Sequence, residues 1–175
     1  MIAKMIPSCF TLANLLMGVL SLMYTLEGEW RMAAIMILGS TILDGMDGKV
    51  ARRLDAASPF GKELDSLSDL VSFGVAPAIL VYALSLKELN FSVAGFTVPI
   101  GLLIALGFAL CGAVRLARFN VLNITEYFVG VPITAAGSLM ALLVLLADRL
   151  PSLVLPIAML VLAYLMVSNI KVPKY

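Results

Sequence analysis

Six apolar stretches, separated by short polar segments, fill almost all of this 175-residue sequence. The chain is 62% hydrophobic and 13% charged, whereas a soluble domain is about 45–50% apolar and about 25% charged. A membrane-spanning helix needs about 20 mostly apolar residues. We therefore predict an all-α integral membrane protein with six transmembrane helices, in which residues 1–175 form a single transmembrane domain. The predicted helices cover 8–26, 31–54, 60–86, 94–120, 129–148 and 151–170.

Basic residues divide unequally between the two sides of this six-helix topology. Three of them, Arg31, Lys87 and Arg149, lie on one side. The other nine lie on the side of the two termini, and they are Lys4, Lys49, Arg52, Arg53, Lys62, Arg115, Arg118, Lys171 and Lys174. Because cytoplasmic loops carry the excess of lysine and arginine, both termini are expected in the cytoplasm. The longer connections, 48–62 and 115–130, then face the cytoplasm as well.

Several classes of function lose support from composition alone. The net charge is +1 and there is no long run of basic residues, so nucleic acid is an unexpected partner. The chain has no histidine, which removes the commonest general base and transition-metal ligand. Cys9 and Cys111 are isolated in apolar surroundings, and free cysteine in such places usually serves packing. Acid–base or metal chemistry must therefore use other side chains.

Four aspartates stand out against this apolar background, in the segment DGMDGKVARRLDAASPFGKELDSLSD, residues 44–69. Asp44 and Asp47 are three residues apart, and Asp65 and Asp69 are four apart, so each pair lies on one face of its helix. The short connection between the two helices makes them antiparallel neighbours. All four carboxylates are therefore expected at one depth, near the cytoplasmic surface.

Carboxylates gathered in this way repel one another and lose hydration unless cations neutralise them. Ligands that are all oxygen select a hard ion such as Mg²⁺, Mn²⁺ or Ca²⁺. Paired ions are a common arrangement for clamping phosphoryl oxygens, so we predict two divalent cations. Two other interpretations are ordinary helix caps or loop charges, and the acidic residues of an ion or metabolite transporter.

Small and basic residues continue the same two helix faces. Gly48 follows Asp47, and Gly61 lies one turn before Asp65. Glycine lets a ligand approach the backbone closely, while the guanidinium of Arg52 suits phosphate oxygens. The segment therefore favours a diphosphate bound with metal.

The pattern Asp44-x2-Asp47-Gly48-x2-Ala51-Arg52-x8-Gly61-x3-Asp65-x3-Asp69 resembles the complete signature of the CDP-alcohol phosphotransferases. The resemblance implies a six-helix transferase domain that uses divalent metal and is commonly a homodimer. It also implies that Asp44, Asp47, Asp65 and Asp69 bind metal, with Asp69 serving in addition as the catalytic base for the acceptor hydroxyl.

The same resemblance assigns a second group of residues to the CDP moiety. Helix 1 carries Pro7, Thr11 and Asn14, similar to the P-x-x-x-T-x-x-N opening of this family. For the two polar residues, an interhelical hydrogen bond is the alternative. The full set of implied CDP-binding residues is Thr11, Asn14, Gly48, Ala51, Arg52 and Gly61.

Three further strings, SFGVAPA from Ser72, RLARFN from Arg115 and YFVGVPITAA from Tyr127, resemble the membrane-type phosphatidylserine synthases within that family. The resemblance implies transfer from CDP-diacylglycerol, or a CDP-activated ether lipid, to L-serine in a prokaryotic plasma membrane. Glycerol 3-phosphate or inositol phosphate is the alternative acceptor. The implied acceptor-binding residues are Ser72, Arg115, Arg118 and Asn120, and Glu63 or Glu126 is a candidate for the serine ammonium group.

Small residues crowd the fourth predicted helix and allow close approach of another helix. Packing inside the bundle and a seam between two copies of the chain are both consistent with this pattern. The residues are Gly101, Ala105, Gly107, Ala109, Gly112 and Ala113.

Overall fold

The structure is a computed structural model that describes residues 5–53, 58–93, 96–122, 127–169 and 171–173. Side chains are described for the same residues except 5–7, 51–52, 91–93, 96, 122, 127–129 and 171–173. Six helical segments make up most of this part of the chain. They are α1 (Met5–Leu26), α2 (Trp30–Arg53), α3 (Pro59–Leu86), α4 (Ile100–Leu122), α5 (Ile133–Leu145) and α6 (Val154–Val167).

Helix α3 is not uniform along its length. It is α-helical over Pro59–Asp69 and Ala76–Val81, and its turns widen to π-helical geometry over Leu70–Val75 and Tyr82–Leu86. Such wide turns are rare in proteins, and where they occur they often mark a functional site. The first of them begins directly after Asp69.

Three segments of the described chain are long and apolar enough to cross a membrane, namely Ser8–Leu26, Pro59–Leu86 and Ile100–Val121. Helices α5 and α6 are apolar but shorter. Large apolar side chains such as Leu16, Leu110 and Tyr164 are more than half exposed on the outer surface, as expected of side chains that face lipid. These features confirm an all-α integral membrane protein, while the count of six membrane spans stays a prediction.

Four strands of three residues each add to the helices. Strands β1 (Phe91–Val93) and β2 (Phe96–Val98) form one antiparallel pair, and β3 (Tyr127–Val129) and β4 (Lys171–Pro173) form another. Two predicted helix starts were therefore wrong: α4 begins at Ile100 rather than 94, and α5 at Ile133 rather than 129. Apolar composition cannot distinguish a short strand from the first turn of a helix.

Helices α1, α2 and α3 pack against one another, α5 lies against α2, and α6 lies against α4. The small residues of α4 serve partly inside this bundle. A Cβ at Gly101 would collide with the carbonyl of Leu86, and a Cβ at Gly112 would lie 2.6 Å from Cδ1 of Ile133. A Cβ at Gly107 would meet nothing within 4 Å. Internal packing therefore accounts for Gly101 and Gly112, and leaves Gly107 on an open face.

Candidate active site

Of the two acidic helices, α3, which carries the second acidic pair, has a well-defined start. Ser58 accepts a hydrogen bond from the backbone N–H of Gly61 (3.0 Å), and Pro59 occupies the first turn. A side-chain cap followed by proline is a strong start for a helix. The carboxylate pair of α3 is thus fixed relative to its first turn.

Three carboxylates from these two helices converge on one point. Asp44 and Asp47 of α2 and Asp65 of α3 each offer an oxygen, and the three oxygens lie within 4.8 Å of one another. The residues are separated by up to 21 positions in sequence, so their convergence is a product of the fold. This arrangement agrees with the expectation that both pairs lie at one depth.

Asp69 lies beside this cluster and is largely buried, at 8% exposure. Its carboxyl group is within hydrogen-bonding reach of Asp44. The amide Nδ2 of Asn14 donates to Oδ1 of Asp69 over 3.3 Å. The structure therefore brings all four predicted aspartates together, and Asp47 and Asp69 are both buried.

Helix α1 supports both acidic helices through polar contacts. The hydroxyl of Thr11 donates to Oδ2 of Asp47 over 3.1 Å, which complements the bond from Asn14 to Asp69. Thr11 and Asn14 are themselves 4% and 0% exposed. Neutral polar side chains of α1 thus hold the acidic faces of α2 and α3 in place.

Three serines complete this support; sequence reasoning missed Ser40 and Ser68, and it assigned Ser72 to the acceptor rather than to helix packing. Ser68 of α3 donates to the backbone oxygen of Thr11 over 3.0 Å. Ser40 of α2 and Ser72 of α3 both donate to the backbone oxygen of Asn14, over 3.2 and 3.0 Å. All three serines are fully buried. Hydroxyls within otherwise apolar spans are the signal that could have found them, since polar residues there commonly join helices.

The cluster gathers four carboxylates, and one cation described beside it is the guanidinium of Arg115, which interacts with the charge of Asp69. In addition, Oδ1 of Asp65 is buried without a hydrogen-bond partner. A set of oxygen donors that gathers this much negative charge is chemically suited to a hard cation. The aspartates therefore fit a divalent metal.

The residues expected to hold the CDP moiety are described only in part. The space above Gly48 is open within the described part of the chain, where a Cβ at this position would meet no atom within 4 Å. Gly61 lies in the capped first turn of α3, where a Cβ would be 3.2 Å from Oγ of Ser58. The side chains of Ala51 and Arg52 lie outside the described residues, although their backbone belongs to α2.

Two of the expected acceptor residues lie on the side of α4 that meets α3. The guanidinium of Arg115 lies 5.9 Å from the ring centroid of Phe119. It also interacts electrostatically with Asp69. Its Nε is buried without a partner. Asn120 donates from Nδ2 to Oγ of Ser66 over 3.0 Å, and its Oδ1 is buried and unpartnered. Both side chains therefore carry unused hydrogen-bonding capacity near the acidic helices.

The other two expected acceptor residues make different contacts. Arg118 donates from Nη1 to the backbone oxygen of Val167 (2.9 Å) and from Nη2 to Oδ1 of Asn169 (2.8 Å). Ser72 is buried beneath α1. The hydrogen bonds described for both thus join protein segments, and their contact with an acceptor stays a prediction. Of the ammonium candidates, Glu63 is exposed and Glu126 lies outside the described residues.

Comparison with known proteins gives one family and a consistent set of relatives. Residues 4–167 match the family described as CDP-alcohol phosphatidyltransferase. The chain is 39% identical over 171 residues to a Bacillus subtilis protein named CDP-diacylglycerol–serine O-phosphatidyltransferase, covering 97% of this chain and 90% of that protein. Proteins of the same name from Helicobacter pylori and Methanocaldococcus jannaschii are 38% and 39% identical. Those alignments cover 97% and 94% of this chain, and 72% of each relative.

Proposed function

Because this chain belongs to the CDP-alcohol phosphatidyltransferase family, we propose that it transfers the phosphatidyl group of CDP-diacylglycerol to the hydroxyl of L-serine, giving phosphatidylserine and CMP. The observation that carries this proposal is the convergence of carboxylates from α2 and α3, three of them within 4.8 Å. Relatives along almost the whole chain bear the name of this serine transferase. Residues 1–175 would act as a single transmembrane catalytic domain.

In this proposal Asp44, Asp47, Asp65 and Asp69 hold two divalent cations, Mg²⁺ or Mn²⁺, with Ca²⁺ as a further possible occupant. When bound, the ions would neutralise the diphosphate of the CDP-lipid and the charge that develops on it. The protein supplies the oxygen donors and fixes their directions: Thr11 holds Asp47, and Asn14 holds Asp69.

Asp69 is the proposed general base. Its carboxylate would accept the proton of the serine hydroxyl as the serine oxygen attacks the phosphatidyl phosphorus, and the bond from that phosphorus to the CMP oxygen would break. A base must lie within hydrogen-bond reach of the proton it takes. Its burial and the bond from Asn14 hold Asp69 in one orientation, which supports this role.

The CDP moiety is proposed to lie over the start of the acidic segment of α2. The open space above Gly48 would admit the diphosphate next to the backbone. The remaining residues proposed for this moiety are Thr11, Asn14, Ala51, Arg52 and Gly61.

Serine is the acceptor favoured by the names of the relatives, and Arg115 is the residue proposed to bind its carboxylate. Arg115 has an unpartnered buried Nε, whereas both Nη atoms of Arg118 already donate to protein oxygens. A guanidinium can receive a carboxylate in a charge-assisted pair. Asn120, with its unpartnered Oδ1, is a candidate to accept from the serine ammonium group.

We also propose the cellular setting of the reaction. The apolar outer surface suits a prokaryotic plasma membrane, and the excess of basic residues near the termini suits a cytoplasmic active site. A homodimer is proposed by analogy with the family, and the open face at Gly107 leaves room for a second copy.

The direct test supplies purified protein with CDP-diacylglycerol, Mn²⁺ or Mg²⁺, and one acceptor at a time, measuring CMP release and the lipid product. We expect CMP and phosphatidylserine with serine, and little CMP with glycerol 3-phosphate or inositol phosphate. CMP release with a phosphorylated acceptor, together with no CMP release with serine, would reject serine as the acceptor. Absence of CMP with every acceptor would reject the transferase.

Substitutions separate the site from the rest of the protein. Asp69→Asn should abolish turnover while part of the CDP-lipid binding survives, and chelation of the unmodified protein should abolish turnover as well. Asp148→Asn is the matched control, because Asp148 is exposed and pairs with Arg31 far along the chain from the cluster. Full activity of Asp69→Asn would contradict the role of Asp69 as base.

A further inference from the structure

The C-terminal end of the described chain is held against the segment that joins α4 to α5. Strands β3 and β4 pair in antiparallel register, with Val129 opposite Lys171. The backbone N–H of Val131 donates to the oxygen of Leu165 over 3.2 Å. A positive φ of 74° at Gly130 allows the backbone to pass closely over the last turn of α6. Two backbone connections therefore join this segment to the end of the chain.

Arg118 adds a side-chain connection to the same place. One arm of its guanidinium donates to the oxygen of Val167, the last residue of α6, and the other donates to Oδ1 of Asn169. A planar guanidinium can satisfy two acceptors at once with little loss of freedom per bond. Arg118 thus ties the cytoplasmic end of α4 to the chain that leads into β4.

We propose that Arg118 is a positioning residue, which clasps the C-terminal segment onto α4 and so holds Arg115 and Asn120 in place over α3. Arg115 precedes Arg118 by three residues and Asn120 follows it by two, so all three share the last turns of α4. A shift at that end of the helix would move both unpartnered polar groups at once. This proposal rests on the proposed transfer to serine, and it replaces direct contact between Arg118 and the acceptor.

We call the bonds of Arg118 to Val167 and Asn169 the clasp. The clasp makes Asn169, which lies beyond the last turn of α6, relevant to serine binding. Asn169→Ala should raise the KM for serine several-fold, and Arg118→Ala should raise it about tenfold, since bonds to charged groups are the stronger ones. Both losses act through one connection, so the double variant should be no worse than Arg118→Ala alone. Asn90→Ala, an exposed asparagine elsewhere, is the matched control.

A crosslink provides a second, independent readout. Residues directly opposite in an antiparallel pair have Cα atoms about 4.5–5.5 Å apart, which is within the range that a disulfide spans. Val129→Cys with Lys171→Cys can therefore be joined by a disulfide after replacing Cys9 and Cys111 by alanine. If Arg118 acts by holding the C-terminal segment, the oxidised crosslink in an Arg118→Ala background should bring the KM for serine back to within about twofold of the unmodified value. Reduction of the disulfide should abolish this rescue.

The outcomes separate the two levels of the argument. If unmodified protein releases no CMP with serine, the proposed function fails. If it does release CMP, but Asn169→Ala has the serine KM of the Asn90→Ala control and the crosslink rescues nothing, the clasp is overturned and Arg118 contacts the acceptor. Arg118→Lys, which can reach one of the two acceptors, covers the case in which Arg118→Ala does not fold, and should show an intermediate KM.

Discussion

The crossing of α1 and α3 beneath the acidic cluster can be tested at Gly18. A Cβ added at this position would lie 2.9 Å from Cα of Ser72 and would collide with its hydroxyl. Because carbon atoms prefer a separation of about 3.5–4.0 Å, the Gly18→Ala substitution should push the two helices apart by roughly 0.6–1 Å.

This displacement is large compared with the tolerance of the bonds next to it. The bond from Asn14 to Asp69 is 3.3 Å long, and that from Ser72 to the oxygen of Asn14 is 3.0 Å. A further ångström takes both beyond hydrogen-bonding distance. Overpacking costs about 1–3 kcal/mol, and alanine returns about 0.8–1.0 kcal/mol of helix propensity. Taking the middle of each range, we expect a net loss of roughly 1 kcal/mol in the free energy of unfolding.

Thermal unfolding in detergent and CMP release measure the two consequences. A loss of this size lowers the midpoint of a protein of this length by about 2–4 °C. Misplacement by about 1 Å can cost about 100-fold in rate, so kcat should fall by 10-fold to 100-fold on that scale. Gly107→Ala is the matched control, because its Cβ meets nothing within 4 Å and alanine should stabilise its helix by up to about 1 kcal/mol. Normal kcat and an unchanged midpoint in Gly18→Ala would refute the reasoning.

Three further substitutions probe the site and its surroundings. Gly48→Ala should leave the unfolding midpoint unchanged or slightly raised, because nothing lies near its Cβ, yet raise the KM for CDP-diacylglycerol; an unchanged KM would remove Gly48 from the proposed CDP site. Thr11→Val should raise the Mn²⁺ concentration for half-maximal CMP release by about 10-fold to 100-fold, as losses of outer-shell partners do, since it removes the bond to Asp47. Titration curves that superimpose would contradict this. Arg31→Gln removes an exposed ion pair with Asp148 and should change the free energy of unfolding by less than about 1 kcal/mol, with kcat intact; a larger loss would show that the pair is not screened.

The helical framework and the acidic cluster could both be predicted from the sequence for physical reasons. Apolar runs long enough for a membrane give the position of each helix, and all six helices end within three residues of prediction. Spacings of three and four residues fix which face of a helix the aspartates share. Asp44, Asp47 and Asp65 therefore met as expected.

What could not be predicted depends on the direction of single side chains in three dimensions. Arg115 and Arg118 look equivalent in sequence, yet one has a buried unpartnered Nε and the other binds the end of α6. The three buried serines that donate to α1 carry no spacing that marks them. Strands β3 and β4 pair residues more than 40 positions apart, and no local pattern specifies such a pairing.

The two serine hydroxyls that meet on the backbone oxygen of Asn14 bear on how the protein is built. Each is a polar group that lipid cannot satisfy, so each gains most from finding its acceptor soon after entering the bilayer. Their donors and acceptor all lie within the first 72 residues. The N-terminal three helices can thus assemble around the acidic face during synthesis, before the last three helices have entered the bilayer.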